Sequence, residues 1–161
     1  MFEDVGMIVE VSIHSFSLRH HFANKVDFDA IDFTNLARSM GYQGISLSLN
    51  DINYRHLGGR GVDRMDRLSQ HLKSYEMKLE VDTSNTTPVH MSEMLKVANR
   101  MGATSLRTYT HYRGDVDQMI RKTSLDLKEV MDEASDLGII IVLENHEDFT
   151  GPELVKIIEL V

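Results

Sequence analysis

Three times in this chain a helix-like segment ends on a glycine, and an apolar run follows within a few residues. The segments are Ser39-Met40-Gly41, Arg100-Met101-Gly102 and Asp136-Leu137-Gly138. Glycine takes the left-handed conformation that closes a helix without steric cost, so these are stop signals. The runs that follow, Gly44–Leu49, Thr104–Tyr109 and Ile139–Leu143, are short and aliphatic or β-branched, and read as strands. Met7–Ile13 and Lys78–Thr83 are of the same kind and make five. Strand starts fall near residues 7, 44, 78, 104 and 139, a spacing of roughly 25 to 37 residues, the length of one strand–helix unit. Successive units of this kind wind right-handed into a parallel sheet.

The intervening segments carry helical periodicity. Ile31, Phe33, Leu36, Ala37 and Met40 mark a helix over Asp29–Met40. Val62, Met65, Leu68, Leu72 and Tyr75 mark the next, and Met91, Met94, Leu95, Ala98 and Met101 a third. A long fourth runs from Val116 to Leu137, and a fifth from Pro152 to Val161. Thr150 and Glu153 have the spacing of a capping box, with Pro152 in the first turn. Arg19-His20-His21 reads as polar loop. No linker or low-complexity segment divides the chain.

Arithmetic separates the candidate architectures. Five units fill the 161 residues, whereas a complete eight-unit barrel needs about 250. A doubly wound five-stranded sheet would also be complete at this length. However, no Gly-x-Gly-x-x-Gly follows the first strand, and the last amphipathic segment, Ile157-Ile158-Glu159-Leu160-Val161, runs to the final residue without a cap. The expectation is an α/β chain forming an incomplete (β/α) TIM barrel of about five βα units, with residues 1–161 as one partial domain.

Composition then narrows the partners. A net charge of −8 disfavours a broad nucleic-acid-binding face, which needs clustered Lys and Arg. Without cysteine there is no disulfide and no thiolate metal site. Met1-Phe2-Glu3-Asp4-Val5 is acidic and unlike a signal peptide, and no apolar run approaches membrane-spanning length. A cytoplasmic location is the default expectation. The ten methionines read as core filler.

The chemistry gathers at strand ends. Ile139–Leu143 suits a parallel strand covered on both faces. Apolarity then stops at Glu144, and Asn145-His146-Glu147-Asp148 follows. The carboxyl ends of parallel strands are where such folds place their chemistry. His14 ends strand one, Asp82 closes strand three, Arg107 lies in strand four and His111 follows it. Each has two readings. Glu144 is a metal ligand or a partner for Arg107; Arg107 orients substrate oxygens or neutralises Glu144. Asn145 and His146 contact substrate or cap their loop. His14 and His111 contact substrate or sit on a solvated rim. Asp82 belongs to a site or caps the Ser84-Asn85 turn. Gly58-Gly59-Arg60-Gly61 is a phosphate cradle without the P-loop's Lys and Ser/Thr, or a mobile rim loop.

The segment from Gly138 through Glu144-Asn145-His146 to Thr150 resembles the xylose isomerase-like TIM barrels, the sugar phosphate isomerase/epimerase group. Met40-Gly41-Tyr42-Gln43-Gly44-Ile45-Ser46-Leu47 and Ala98-Asn99-Arg100-Met101-Gly102-Ala103, with Leu106-Arg107, extend the resemblance along the chain. At strand two the family more often has a carboxylate where Ser46 or Ser48 stands. The resemblance implies one divalent metal (Mn, Mg or Zn), held by Glu144 and by an Asp, a His and a Glu expected beyond Val161. It implies proton abstraction next to a carbonyl through a metal-stabilised enediolate, with Glu144 as ligand, base or both. The substrate is then a small sugar, sugar phosphate or keto acid, contacted by His14, Arg107, His111, Asn145 and His146. Two alternatives stand beside this. One is another activity of the same superfamily, a dehydratase or an endonuclease IV-like enzyme. The other is a non-catalytic half-barrel that forms a homodimer through the open edges of strands one and five.

Overall fold

A computed structural model describes residues 10–161. Five strands, β1 (Ser12–His14), β2 (Gly44–Ser48), β3 (Lys78–Asp82), β4 (Ser105–Thr108) and β5 (Ile140–Leu143), form one sheet in the order β1-β2-β3-β4-β5. Every neighbouring pair is parallel. The helices are α1 (Arg19–Asn24), α2 (Ala30–Ser39), α3 (Val62–Ser74), α4 (Pro88–Met101), α5 (Val116–Asp136) and α6 (Gly151–Leu160). The part of the expected first strand before Glu10 lies outside the described residues.

The strand order decides between the two architectures. A doubly wound sheet starts in its middle and adds strands on both sides. Here β1 is at one edge and each later strand is laid down next to the one before. The helices follow the same rule: α2 packs on α3, α3 on α4, α4 on α5 and α5 on α6. One layer of helices therefore covers one face, as in a segment of a TIM barrel.

Alternation along the strands explains which face is covered. Ile45, Leu47, Leu79, Val81 and Leu106 point to the helices and are at most 2% exposed. Burying one such side chain stabilises the fold by about 1.5–3 kcal/mol. The intervening residues, Ser46 and Ser48 on β2, Glu80 and Asp82 on β3, and Ser105 and Arg107 on β4, point to the other face. The expectation that β5 is covered on both faces fails for the same reason: Ile140 is 69% exposed. It points to the face without helices, and β5 is paired along one edge.

The repeated glycine stops hold. Gly41, Gly102 and Gly138 have φ of 87°, 78° and 65°. At α6, the Glu153 carboxylate accepts from the Thr150 N–H and hydroxyl at 2.6 and 2.8 Å, as the capping-box spacing implied. These bonds hold the Glu153 carboxyl below its ordinary pKa. A second sequence expectation is corrected. Arg19-His20-His21 is not loop but the first turn of α1, which follows directly on a 3-10 turn, Ser15–Leu18. Its anchor is Phe22, 1% exposed and packed against the rings of Phe28, Phe33 and His56. A single buried aromatic leaves no periodicity to read.

Candidate active site

The uncovered face carries a connected polar network centred on Arg107. The register places Ser46 beside Glu80, and Ser48 beside Asp82, which is itself beside Arg107. Arg107 Nε donates to Glu80 Oε1 at 3.1 Å, and Nη1 donates to Glu144 Oε2. Its Nη2 stands 3.3 Å from Asp82 Oδ1. Glu80 also accepts from the Ser46 hydroxyl at 2.7 Å and from that of Ser105 at 3.4 Å. Asp82 is 4% exposed; its Oδ2 accepts from Asn50 Nδ2 at 3.1 Å and lies 3.3 Å from His14 Nε2. His14 Nδ1 accepts the Phe16 N–H at 3.3 Å. The proton of the neutral ring therefore sits on Nε2 and is donated to Asp82.

The network joins three of the sequence's candidates, His14, Arg107 and Glu144, at the carboxyl ends of β1, β4 and β5. Of the two sequence alternatives for Glu144, the structure shows the pairing with Arg107, at the strand end where chemistry is expected. Asp82 is a member of the network and not a cap for the Ser84-Asn85 turn; Thr87 N–H donates to Asn85 Oδ1 there instead. Glu80 was missed by sequence reasoning. The signal was present in the strict alternation Lys78-Leu79-Glu80-Val81-Asp82, which puts both carboxylates on one face of the strand.

A second group forms the rim. Tyr109, directly after β4, stacks on His146 with ring centroids 4.2 Å apart and planes 14° from parallel. His111 tilts onto Tyr109 at 5.5 Å. Glu147 has a φ of 68°, a left-handed conformation that turns the loop sharply after His146. These rings and Arg113 line an open cleft of about 690 Å³ between the loops after β4 and β5. Tyr112 anchors the first loop. Its hydroxyl donates to Asp126 on α5, and desolvation together with that bond pushes its pKa up to about 12. Asn145 is exposed and belongs to neither group. Tyr109 was also missed, because a tyrosine ending a strand reads first as β-propensity.

Other sequence candidates lie apart. His21 packs on Phe28. Arg60, from the glycine-rich loop, lies over the Tyr54 ring with its charge 4.5 Å from the centroid and pairs with Glu93. The Gly58–Gly59 turn lies against the Arg64 side chain, which pairs with Asp29.

A divalent metal is implied by the resemblance, and the fit is partial. Glu144 offers a carboxylate at the right strand end, but Arg107 already engages it. Among the described residues no three His, Asp or Glu side chains are grouped to hold a metal ion. By themselves these residues do not fit a complete metal site. No helix among them is long and apolar enough to cross a membrane.

No family model matches the chain. The uncharacterized protein YihM of Escherichia coli (strain K12) is 22% identical over 128 residues, which are 80% of this chain and 39% of that protein. Solved structures resemble it more extensively. D-psicose 3-epimerase, determined in the presence of D-fructose, superposes with a TM-score of 0.71 at 11% identity, over 94% of this chain and 60% of that one. A D-tagatose 3-epimerase-like protein gives 0.67 at 14% identity, over 95% and 61%. The IOLI protein with a bound zinc atom gives 0.64 at 12% identity, over 84% and 51%. The chain thus spans well under two thirds of the length of each. Likeness at these identities is likeness of fold. That fold is the (β/α) TIM barrel, of which this chain carries five βα units.

Proposed function

We propose that this chain is part of a sugar isomerase or epimerase that moves a proton on a carbon next to a carbonyl. The observation that carries the reading is Glu144, a carboxylate at the end of a barrel strand and aimed by Arg107 onto the face where serines and carboxylates replace apolar side chains. The likeness to epimerase structures supports the same reading. A carboxylate fixed in direction is suited to take a proton from carbon. Arg107 holds it, and Glu80 and Asp82 hold Arg107. The acceptors and hydroxyls of Glu80, Ser46 and Ser48 suit a polyhydroxylated substrate, and the Tyr109–His146 stack offers an apolar surface to the C–H side of a sugar.

Small sugars and sugar phosphates are the substrate classes in this reading, and the protein acts without nucleic acid or membrane. The metal called for by the resemblance, Mn, Mg or Zn, would have Glu144 as one ligand, and the zinc in the IOLI neighbour supports an ion of that class. An ion of that class would supply positive charge beside the substrate carbonyl. The test follows proton exchange. The protein is incubated in D₂O with a panel of ketoses, with and without added Mn, and loss of the C–H signal next to the carbonyl is followed by NMR. Exchange that disappears in Glu144→Gln supports the reading. Exchange that is unchanged in that variant removes Glu144 from the mechanism.

A further inference from the structure

We infer that the reacting end of the site takes an uncharged hydroxy-carbonyl group and rejects a 2-keto acid. The inference rests on the isomerase or epimerase reading and names its substrate class. Glu80, Asp82 and Glu144 surround the guanidinium of Arg107, and each of its three nitrogens already faces one of them. A guanidinium binds a substrate carboxylate by offering a free edge of its planar donor fork. Here Nε donates to Glu80, Nη1 donates to Glu144 and Nη2 faces Asp82 at 3.3 Å, so a carboxylate already stands at every nitrogen of the fork.

No other cation on this face replaces it among the described residues. His14 spends one ring nitrogen on Phe16 and the other on Asp82. Lys78 shares the face but lies at the amino end of β3, where it pairs with Glu10. The group around Arg107 therefore holds two more carboxylates than it has guanidinium charges. Asp82 Oδ1 adds to this: it is sealed from solvent and accepts no hydrogen bond, so its compensation is the nearby Arg107 charge itself. A keto acid would bring its carboxylate against like charge to reach any N–H that Arg107 has left. A ketone flanked by hydroxyls needs only acceptors for its O–H groups, and carboxylates are the strongest acceptors available. The exclusion ends at the rim, where Arg113 lines the outer cleft, so a phosphate at the far end of a sugar does not meet it.

The experiment titrates the protein with D-fructose, fructose 6-phosphate and 2-oxobutanoate, with and without added Mn. The Arg107 Nε–H and Glu144 amide signals are followed by ¹⁵N NMR, and D₂O exchange into each ligand is measured alongside. The keto acid should bind at least about tenfold more weakly than either sugar, a gap of the size that one unscreened like-charge contact produces. Salt screens repulsion, so raising it from about 0.02 to 0.5 M should narrow the gap. Glu80→Gln, or Asp82→Asn should the first not fold, should narrow it at fixed salt. A keto acid that binds as tightly as the sugars, or whose binding weakens with salt, overturns the inference while sugar exchange leaves the isomerase reading intact. Exchange into none of the ligands, with or without Mn, overturns that reading and this inference with it.

Discussion

Arg107 on β4 donates to Glu144 just beyond β5, and the opposite side of the same guanidinium is held by Glu80 on β3. Three strands distant in sequence are thereby linked through one side chain. The direction of the Glu144 carboxylate is set by the sheet and not by its own loop.

Glu144→Gln should lower proton exchange by more than about a hundredfold, because it removes the charge that accepts the proton while keeping the side chain's size. Glu144→Asp should cost about a hundredfold, since one methylene withdraws the carboxylate by roughly 1 Å. Single-turnover exchange rates by NMR check both. Equal rates for wild type and Glu144→Asp would mean the carboxylate's position does not matter.

Arg107→Gln should destabilise the fold by about 1–3 kcal/mol, because it leaves three carboxylates together without their cation; the partial exposure of the group keeps the loss below that of a fully buried pair. Arg107→Lys should recover part of that stability but little exchange activity, since an ammonium cannot hold two carboxylates in one plane. Urea unfolding and exchange rates measured on the same preparations separate the two effects.

Tyr109→Ala should raise KM for a ketose by about threefold to tenfold, the size of one lost ring contact, with a smaller effect on kcat. Tyr109→Phe should be near wild type. A loss confined to kcat would place Tyr109 in the chemistry and not in substrate binding.

Gly44→Ala should destabilise the protein by about 1–3 kcal/mol, the usual cost of forcing atoms into a packed site. A Cβ there would lie 2.4 Å from Ser12 Oγ and 3.0 Å from the Lys78 carbonyl oxygen, which is backbone and cannot move aside. Thermal unfolding checks this. An unchanged midpoint would show that β1 and β3 can separate around β2.

Acid should weaken the fold through His56 and His90. Burial lowers both pKa values in the folded state, and for His56 the nearby His14 adds to it. A histidine lowered in this way favours folding above its unfolded pKa of about 6.5 and loses that contribution as pH falls through the lower folded value. Melting midpoints should therefore drop as pH falls below about 6.5, and less so in His56→Gln with His90→Gln. An identical slope in the double variant would assign the acid sensitivity to other groups.

Local rules were enough to read the repeat. Helix-ending glycines at Gly41, Gly102 and Gly138, apolar runs after them and 3.6-residue periodicity between them depend on backbone sterics and on burial of one helix face. Both are written into neighbouring residues, so the five strands and the five main helices were legible, and so was Glu144 as the residue where apolarity stops. Two things were decided by the tertiary structure. The first is sidedness. Ile139–Leu143 reads as a fully covered strand, yet Ile140 is exposed, because one layer of helices covers one face of the sheet. The second is the network. That Arg107 meets Glu80, Asp82 and Glu144 at once, and that Tyr109 meets His146, follows from strand register. Register is a relation between segments some 25 to 37 residues apart, the length of a βα unit, and is set by packing across the whole sheet. No local pattern carries it.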